Sequence, residues 1–216
     1  PPDAVASCLD EVGIGFCFAP LFHSAMKHAA PVRQQLGLRT IFNLVGPLTN
    51  PAQADCQLLG ANSDQSARLL AGALQRLGRP HALVVCGNNQ LDEVALWGTT
   101  LALEVDGERD EITEHVWSAG DFGLPECEAE SLRVDSPDAS AEMIRGVLEG
   151  QGGAARNIVV ANTAAALVAF QGSQNTATDS MSDTLQLAAG RAQAAIDDGL
   201  AAAKLAALVD VSGRLA

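Results

Sequence analysis

The sequence predicts an α/β fold, with a mainly parallel sheet flanked by helices and with part of a small helical domain. An apolar run, an amphipathic helical segment and a second apolar run follow one another between residues 57 and 86. That order is typical of a parallel crossover unit, in which a helix covers the sheet. Helical patterns also dominate residues 21–52 and the stretch from residue 138 to 210. These patterns place helices both beside the sheet and in a smaller helical part.

The first fifty residues favour helices broken by one short strand. We predict a helix over residues 3–11 with Asp3 as its cap. The apolar run Ile14–Ala19 is bounded by Gly and Pro, which predicts a buried strand. Helical stretches follow around 21–37 and 40–45, the last one stopping at Gly46-Pro47.

From residue 56 onward, strand and helix patterns alternate. Val94–Val105 and Glu111–Trp117 predict a hairpin across Asp106-Gly107, a pair that favours the primed turns. The polar stretch 172–183 predicts a loop. The other predicted elements are strands at 57–61 and 83–86 and helices at 64–77, 138–149, 154–170, 182–197 and 200–210.

Composition excludes several classes of partner. The chain has 26 acidic and 13 basic residues, a net charge of −13, so we expect no binding to nucleic acid or to anionic membranes. A small anionic substrate stays possible, because a few local cations and a metal can reverse the field in a cleft. The five cysteines are odd in number and lie mostly in apolar runs, which indicates buried thiols and a cytoplasmic location.

The densest group of cations lies between residues 23 and 39. On a helix, His23 and Lys27 would share one face. Arg33 could offer its planar guanidinium to a carboxylate or phosphate. Cationic helix faces are common, so the pattern alone favours a solvated surface over a ligand site.

Residues 42–51 combine an apolar run with Gly46-Pro47 and a second proline. The missing side chain at Gly46 would let a flat aromatic ligand approach the backbone closely. The same residues also suit an ordinary helix end. Local rules do not separate these two interpretations.

The adjacent acids Asp92 and Glu93 follow a predicted buried strand. Loops at the carboxyl ends of parallel strands tend to hold ligands, and Mg²⁺ prefers a few carboxylates together with phosphate oxygens. Adjacent acids are also frequent on surfaces, so their spacing alone is a weak indication of a metal site. His81 and His115 lack metal-ligand spacing, and we expect ordinary strand residues there.

Long blocks of the sequence resemble the anthranilate phosphoribosyltransferase family of the tryptophan pathway. The strongest is the segment from Phe18 to Ala52, which includes Ala30-Pro31-Val32-Arg33 and the run from Arg39 to Pro51. Leu91-Asp92-Glu93 continues the match, as do Asp121–Leu124 and Asn162–Leu167. The resemblance implies a fold like that of nucleoside phosphorylases and phosphoribosyltransferases. It also implies that residues 1–216 are the carboxyl-terminal portion of the glycosyltransferase α/β domain, with residues 21–52 contributing helices to a small helical domain whose remainder we expect to be missing.

The resemblance also implies roles for particular residues. Arg33 would hold the carboxylate of anthranilate, and His23, Gly46 and Pro47 would line its path. Asp92 and Glu93 would bind the Mg²⁺ carried by phosphoribosyl diphosphate. The full-length protein would be a homodimer. No catalytic residue in the strict sense is implied, because the metal and backbone donors would stabilise the leaving group.

Two departures from the family pattern give further expectations. The family's Gly-rich diphosphate loop and its Lys-His-Gly-Asn segment would lie before Pro1, so we expect a fragment that alone does not bind phosphoribosyl diphosphate productively. Cys86-Gly87 stands where the family often has His-Gly, and Asn88-Asn89-Gln90 replaces a stretch that contains glycine.

Two alternatives stay open from the sequence. One is a related phosphoribosyltransferase or pyrimidine nucleoside phosphorylase of the same fold. The other is a non-catalytic binding module that keeps the fold.

Overall fold

A computed structural model describes residues 2–22, 42–171 and 180–215. The chain forms two compact units, Pro1–Gln53 with Gly199–Ala216, and Ala54–Asp198. The strands are β1 (Cys56–Gly60), β2 (His81–Gly87), β3 (Thr100–Asp106) and β4 (Glu111–Trp117). The α-helices are α1 (Pro2–Val12), α2 (Ala19–Phe22), α3 (Phe42–Leu48), α4 (Asp64–Arg76), α5 (Pro137–Leu148), α6 (Ala154–Gln171), α7 (Met181–Asp197) and α8 (Leu200–Arg214).

In the smaller unit, α1 packs against α8. Cys8 and Val12 of α1 and Val211 of α8 form a small buried cluster. The Nζ of Lys204 donates to the carbonyl of Val12 at 2.7 Å. A cation at the end of α1 suits the negative end of the helix dipole.

Two predictions for this unit are wrong. Ile14–Ala19 forms no strand: residues 14–18 are irregular, α2 begins at Ala19, and Phe16 is 73% exposed. A strand needs a neighbour for its backbone groups, and within the described residues this run has none. The helix predicted to stop at Gly46-Pro47 continues to Leu48. In so short a helix, Pro47 removes only one backbone bond.

The larger unit contains a four-stranded sheet in the order β1-β2-β3-β4. β1 and β2 are parallel and are joined by α4, whereas β2–β3 and β3–β4 are antiparallel. The predicted α/β fold is confirmed, but the described sheet is mixed instead of mainly parallel. Only the first connection contains a crossover helix, which a parallel pair requires.

Both faces of the central strands are covered. All seven residues of β2 are buried. One face packs against α6 and α7 in a core that includes Leu83, Trp117 and Val160, and α4 lies against β2 and β3. The strand therefore has the uninterrupted apolar character of a strand buried on both sides.

The hairpin of β3 and β4 forms where predicted, with a different start and turn. β3 begins at Thr100, not at Val94. Four residues, 107–110, separate the strands, and Asp106 Oδ1 accepts from the backbone N–H groups of Glu108 and Arg109, each at 3.0 Å. The aspartate side chain thus stabilises a longer loop in place of a two-residue primed turn.

The helices α5 to α8 begin within one residue of their predicted starts. His81 and His115 lie in strands, as expected. No helix in the described ranges has both the length and the hydropathy that a membrane crossing requires.

Candidate functional site

Asp92 and Glu93, here called the acid pair, lie in the connection between β2 and β3, close to where the parallel strands end. Both residues line one cavity of about 500 Å³, together with Gly60 of β1 and with Asn162 and Thr163 of α6. The connection is irregular over residues 92–99. The two neighbouring carboxylates can therefore face the same space, which the alternation of a strand would prevent.

Two glycines at the strand ends let this connection lie directly on the sheet. A Cβ built on Gly60 would be 1.7 Å from the carbonyl oxygen of Asp92. A Cβ on Gly87 would be 2.6 Å from the carbonyl oxygen of Glu93. Any larger residue at either position would push the backbone of the acid pair away from the strands.

The backbone just after the acid pair is held by two side chains. Val94 donates its N–H to Asn162 Oδ1 at 2.8 Å, and Asn162 Nδ2 donates to the Val94 carbonyl at 3.2 Å. Ala95 donates its N–H to the buried Thr100 hydroxyl at 3.0 Å. These bonds replace the ladder partners that an irregular segment lacks.

The backbone just before the acid pair is fixed by a tight turn. Gly87 and Leu91 exchange two backbone hydrogen bonds of 2.8 Å. Asn88 and Asn89 take left-handed conformations with φ of 47° and 53°, which Asn tolerates better than most residues. Asn89 Oδ1 also accepts from the N–H of Asp64 at 2.9 Å and so links this turn to the start of α4.

The electrostatics of the acid pair favour a cation. The pKa of Glu93 is raised, first by its partial burial and then by the nearby charge of Asp92. Within the described part of the chain, neither carboxylate forms a hydrogen bond or an ion pair with another side chain. A divalent cation would remove the repulsion between the two acids.

The donor set fits Mg²⁺ bound together with a substrate. In the ranges that the structure describes, no group of three or more His, Cys, Asp or Glu residues could hold a metal. Mg²⁺ usually keeps several waters and binds one or two carboxylates plus phosphate oxygens. Two carboxylates open to a cavity meet that requirement, whereas a structural zinc site would need four ligands.

A second cavity of about 510 Å³ adjoins the first through Glu93, Ile158 and Val159, which line both. Its walls are mostly apolar and come from α5, α6 and the connection after β2, with Trp97, Met143 and Ile144 among them. Glu93 thus lies between two adjoining cavities.

The other predicted site residues lie elsewhere in the chain. Gly46 and Pro47 belong to α3 in the smaller unit, where Pro47 is exposed. His23 and Arg33 fall outside the described residues. Their roles stay predictions.

The family of the chain follows from comparison with known proteins. The model of a family described as "Glycosyl transferase family, a/b domain" matches residues 1–202. The chain belongs to this family. Curated relatives of the chain include anthranilate phosphoribosyltransferases from a Polaromonas species, 43% identical over 215 residues, and from an Acidovorax species, 47% identical over 216 residues. In both cases the match covers 100% of this chain and 59% of the relative's length.

Solved structures of anthranilate phosphoribosyltransferases have the same fold as this chain. The anthranilate phosphoribosyltransferase of Thermus thermophilus superposes with a TM-score of 0.83 at 34% identity, over 98% of this chain and 60% of that one. A variant of the Saccharomyces cerevisiae enzyme with Mg bound gives a TM-score of 0.85 at 25% identity, over 98% and 58%. The chain therefore spans about three fifths of the length of these proteins.

Sequence reasoning from local patterns missed Gly60, Thr100 and the backbone contacts of Asn162. Gly60 lies inside the predicted strand 57–61, and a glycine within a strand is a signal for close approach of another backbone. Asn162 is a part-buried polar residue on a mostly apolar helix, but it is 68 residues away from Val94 in sequence. No local pattern connects positions so far apart.

Proposed function

We propose that the protein containing this chain transfers the phosphoribosyl group of phosphoribosyl diphosphate to anthranilate, releases diphosphate and so serves tryptophan biosynthesis. One structural observation carries the proposal: two adjacent acidic residues, in the connection that follows the parallel strand β2, line a single cavity. The similarity to anthranilate phosphoribosyltransferases at 43–47% identity supports the choice of substrates.

Asp92 and Glu93 would hold Mg²⁺ on the donor side. When bound, the ion neutralises charge that develops on the leaving diphosphate. The two carboxylates orient it, because the segment that carries them is fixed on both sides by hydrogen bonds and lies against two glycines. A preorganised site of this kind needs little rearrangement during the reaction.

On the acceptor side, Arg33 would pair with the carboxylate of anthranilate, and His23, Gly46 and Pro47 would line its path. The resemblance of residues 18–52 to the family supports these roles. The amino group of anthranilate is neutral at pH 7, so its lone pair is available without a strong base. Orientation of the two substrates would then supply most of the acceleration.

The cellular setting and the assembly belong to the same proposal. We assign the protein to the cytoplasm, which the five free thiols support. We also propose a homodimer for the full-length protein, and we assign residues 21–52 to a small helical domain and the rest of the chain to the α/β domain. The resemblance to the family supports both assignments.

The test is a transfer assay on the complete protein with anthranilate, phosphoribosyl diphosphate and Mg²⁺. Asp92→Asn and Glu93→Gln should each lower turnover more than about 100-fold and raise the Mg²⁺ concentration needed for half-maximal rate. Glu111→Gln, an exposed acid at the start of β4, is the matched control and should match the unmodified protein. Absence of transfer by the unmodified protein rejects the proposed reaction. Unchanged Mg²⁺ dependence in both variants rejects Asp92 and Glu93 as the Mg²⁺ ligands.

A further inference from the structure

The peptide groups of Val94 have no strand partner, although the residue is fully buried. Val94 follows the acid pair directly and lies six residues before β3 begins. Buried backbone N–H and C=O groups carry a large penalty when they are left unpaired. Something outside the sheet must therefore satisfy both.

The amide of Asn162 satisfies both groups at once. Its Oδ1 accepts from the Val94 N–H at 2.8 Å, and its Nδ2 donates to the Val94 carbonyl at 3.2 Å. This two-point contact imitates the pairing that a neighbouring strand would give. The backbone N–H can only donate, so the contact also fixes which end of the amide faces it.

Asn162 is itself held in place. Its Nδ2 also donates to the Ile158 carbonyl, one turn earlier in α6, at 2.9 Å. Its helix neighbours Val160, Ala161, Ala164 and Ala165 are buried in the main core. The amide therefore sits on a rigid element, which holds a site more accurately than a loop does.

We propose that Asn162 is a positioning residue for the Asp92–Glu93 pair. Its amide fixes the backbone of Val94 and thereby sets where both carboxylates stand in the cavity that Asn162 also lines. Asn162 does not need to touch the metal or the substrates for this role. The proposal rests on the proposed function for its catalytic consequence, and on the hydrogen bonds alone for its structural one.

The first experiment measures backbone protection in the complete protein by hydrogen exchange. In Asn162→Leu, which removes both partners of Val94, the amides of residues 92–95 should exchange at least about tenfold faster. Asn162→Gln keeps the amide but displaces it by one methylene. In this variant the amides of residues 92–95 should also exchange faster, but by a smaller factor than in Asn162→Leu. Asn157→Leu is the matched control, because it alters the same residue type on the same helix outside the cavity.

The second experiment measures the metal directly. Mn²⁺, titrated by water-proton relaxation in the presence of phosphoribosyl diphosphate, should bind Asn162→Leu about 10–100-fold more weakly than the unmodified protein. In the transfer assay, the KM for phosphoribosyl diphosphate should rise while the KM for anthranilate stays within about twofold. A residue that only stabilises the fold would not separate the two KM values.

Two results overturn the proposal. One is unchanged exchange at residues 92–95 in both Asn162 variants. The other is equal loss of Mn²⁺ binding in Asn162→Leu and Asn157→Leu. If Asn162→Leu does not fold, Asn162→Gln decides by the same measurements. If the unmodified protein transfers nothing to anthranilate, the proposed function fails, while the exchange data still decide the role of Asn162.

Discussion

At the scale of single residues, Gly60 shows how little room separates the sheet from the acid pair. The nearest atom to a Cβ at this position would be the carbonyl oxygen of Asp92, at 1.7 Å. Real Cβ atoms do not approach a backbone oxygen so closely. Since that oxygen belongs to the backbone, it cannot move aside as a flexible side chain could.

We therefore expect Gly60→Ala to displace residues 92–94. Overpacking of this kind costs about 1–3 kcal/mol of unfolding free energy, and it should also raise the Mg²⁺ concentration needed for half-maximal transfer. The control is Gly190→Ala in α7, where nothing lies within 4 Å of the new Cβ. Because Ala restricts the unfolded chain more than Gly, the control should gain about 0.5–1 kcal/mol. Urea unfolding measures the change in unfolding free energy of both variants. A Gly60→Ala protein as stable as the unmodified one would contradict the close contact between Gly60 and Asp92.

At the scale of elements, the sheet carries a carboxylate between two histidines. Glu104 of β3 contacts His115 of β4, whose Nε2 lies 3.1 Å from Oε2. His81 of β2 is buried, and its Nε2 lies 3.7 Å from the other carboxylate oxygen, beyond hydrogen-bond distance. The pKa of Glu104 is lowered, first by the hydrogen bond from His115 and then by the charges of the two histidines; partial burial and Asp106 act in the opposite direction.

The lowered pKa of Glu104 makes the stability of the fold depend on pH. A carboxyl whose pKa is lower in the folded state contributes stability above its unfolded pKa, and that stability is lost as the pH falls through the folded pKa. Glu104→Gln should therefore be less stable than the unmodified protein near neutral pH, and this difference should shrink as the pH falls below about 4. Urea unfolding across this pH range, with Glu111→Gln as the control, tests the prediction. A difference that grows on acidification would refute it.

The elements predicted correctly are those with strong periodic patterns. The strand–helix–strand unit of β1, α4 and β2 and the strand Glu111–Trp117 follow from local sequence alone. Ile14–Ala19 has the composition of a strand but no partner in the described residues, and the partner decides whether a strand forms. The contact between Val94 and Asn162 also escapes prediction, because it depends on how α6 lies against the sheet.

At the scale of the whole molecule, the residues proposed for the two substrates are divided between the two compact units. Asp92 and Glu93 belong to the unit Ala54–Asp198, whereas Gly46 and Pro47 belong to the other. The proposed donor and acceptor groups are therefore carried by different parts of the chain. With a net charge of −13, each anionic substrate needs its own local cation, either a metal or an arginine.

This division predicts a separation of kinetic effects. Arg33→Ala in the complete protein should raise the KM for anthranilate by at least about tenfold, because a guanidinium that pairs with a carboxylate would be lost. The KM for phosphoribosyl diphosphate should change little. Arg76→Ala, at an exposed arginine in the last turn of α4, is the control. An equal loss for both substrates would remove Arg33 from the acceptor site.

The apolar cavity next to Glu93 offers a starting point for inhibitor design. Its walls of Trp97, Met143 and Ile144 suit a hydrophobic scaffold, and Glu93 stands where this cavity meets the one with both acids. A compound with an apolar body and one amine directed at Glu93 would compete with the proposed binding of Mg²⁺ while resembling neither sugar diphosphate nor aromatic acid.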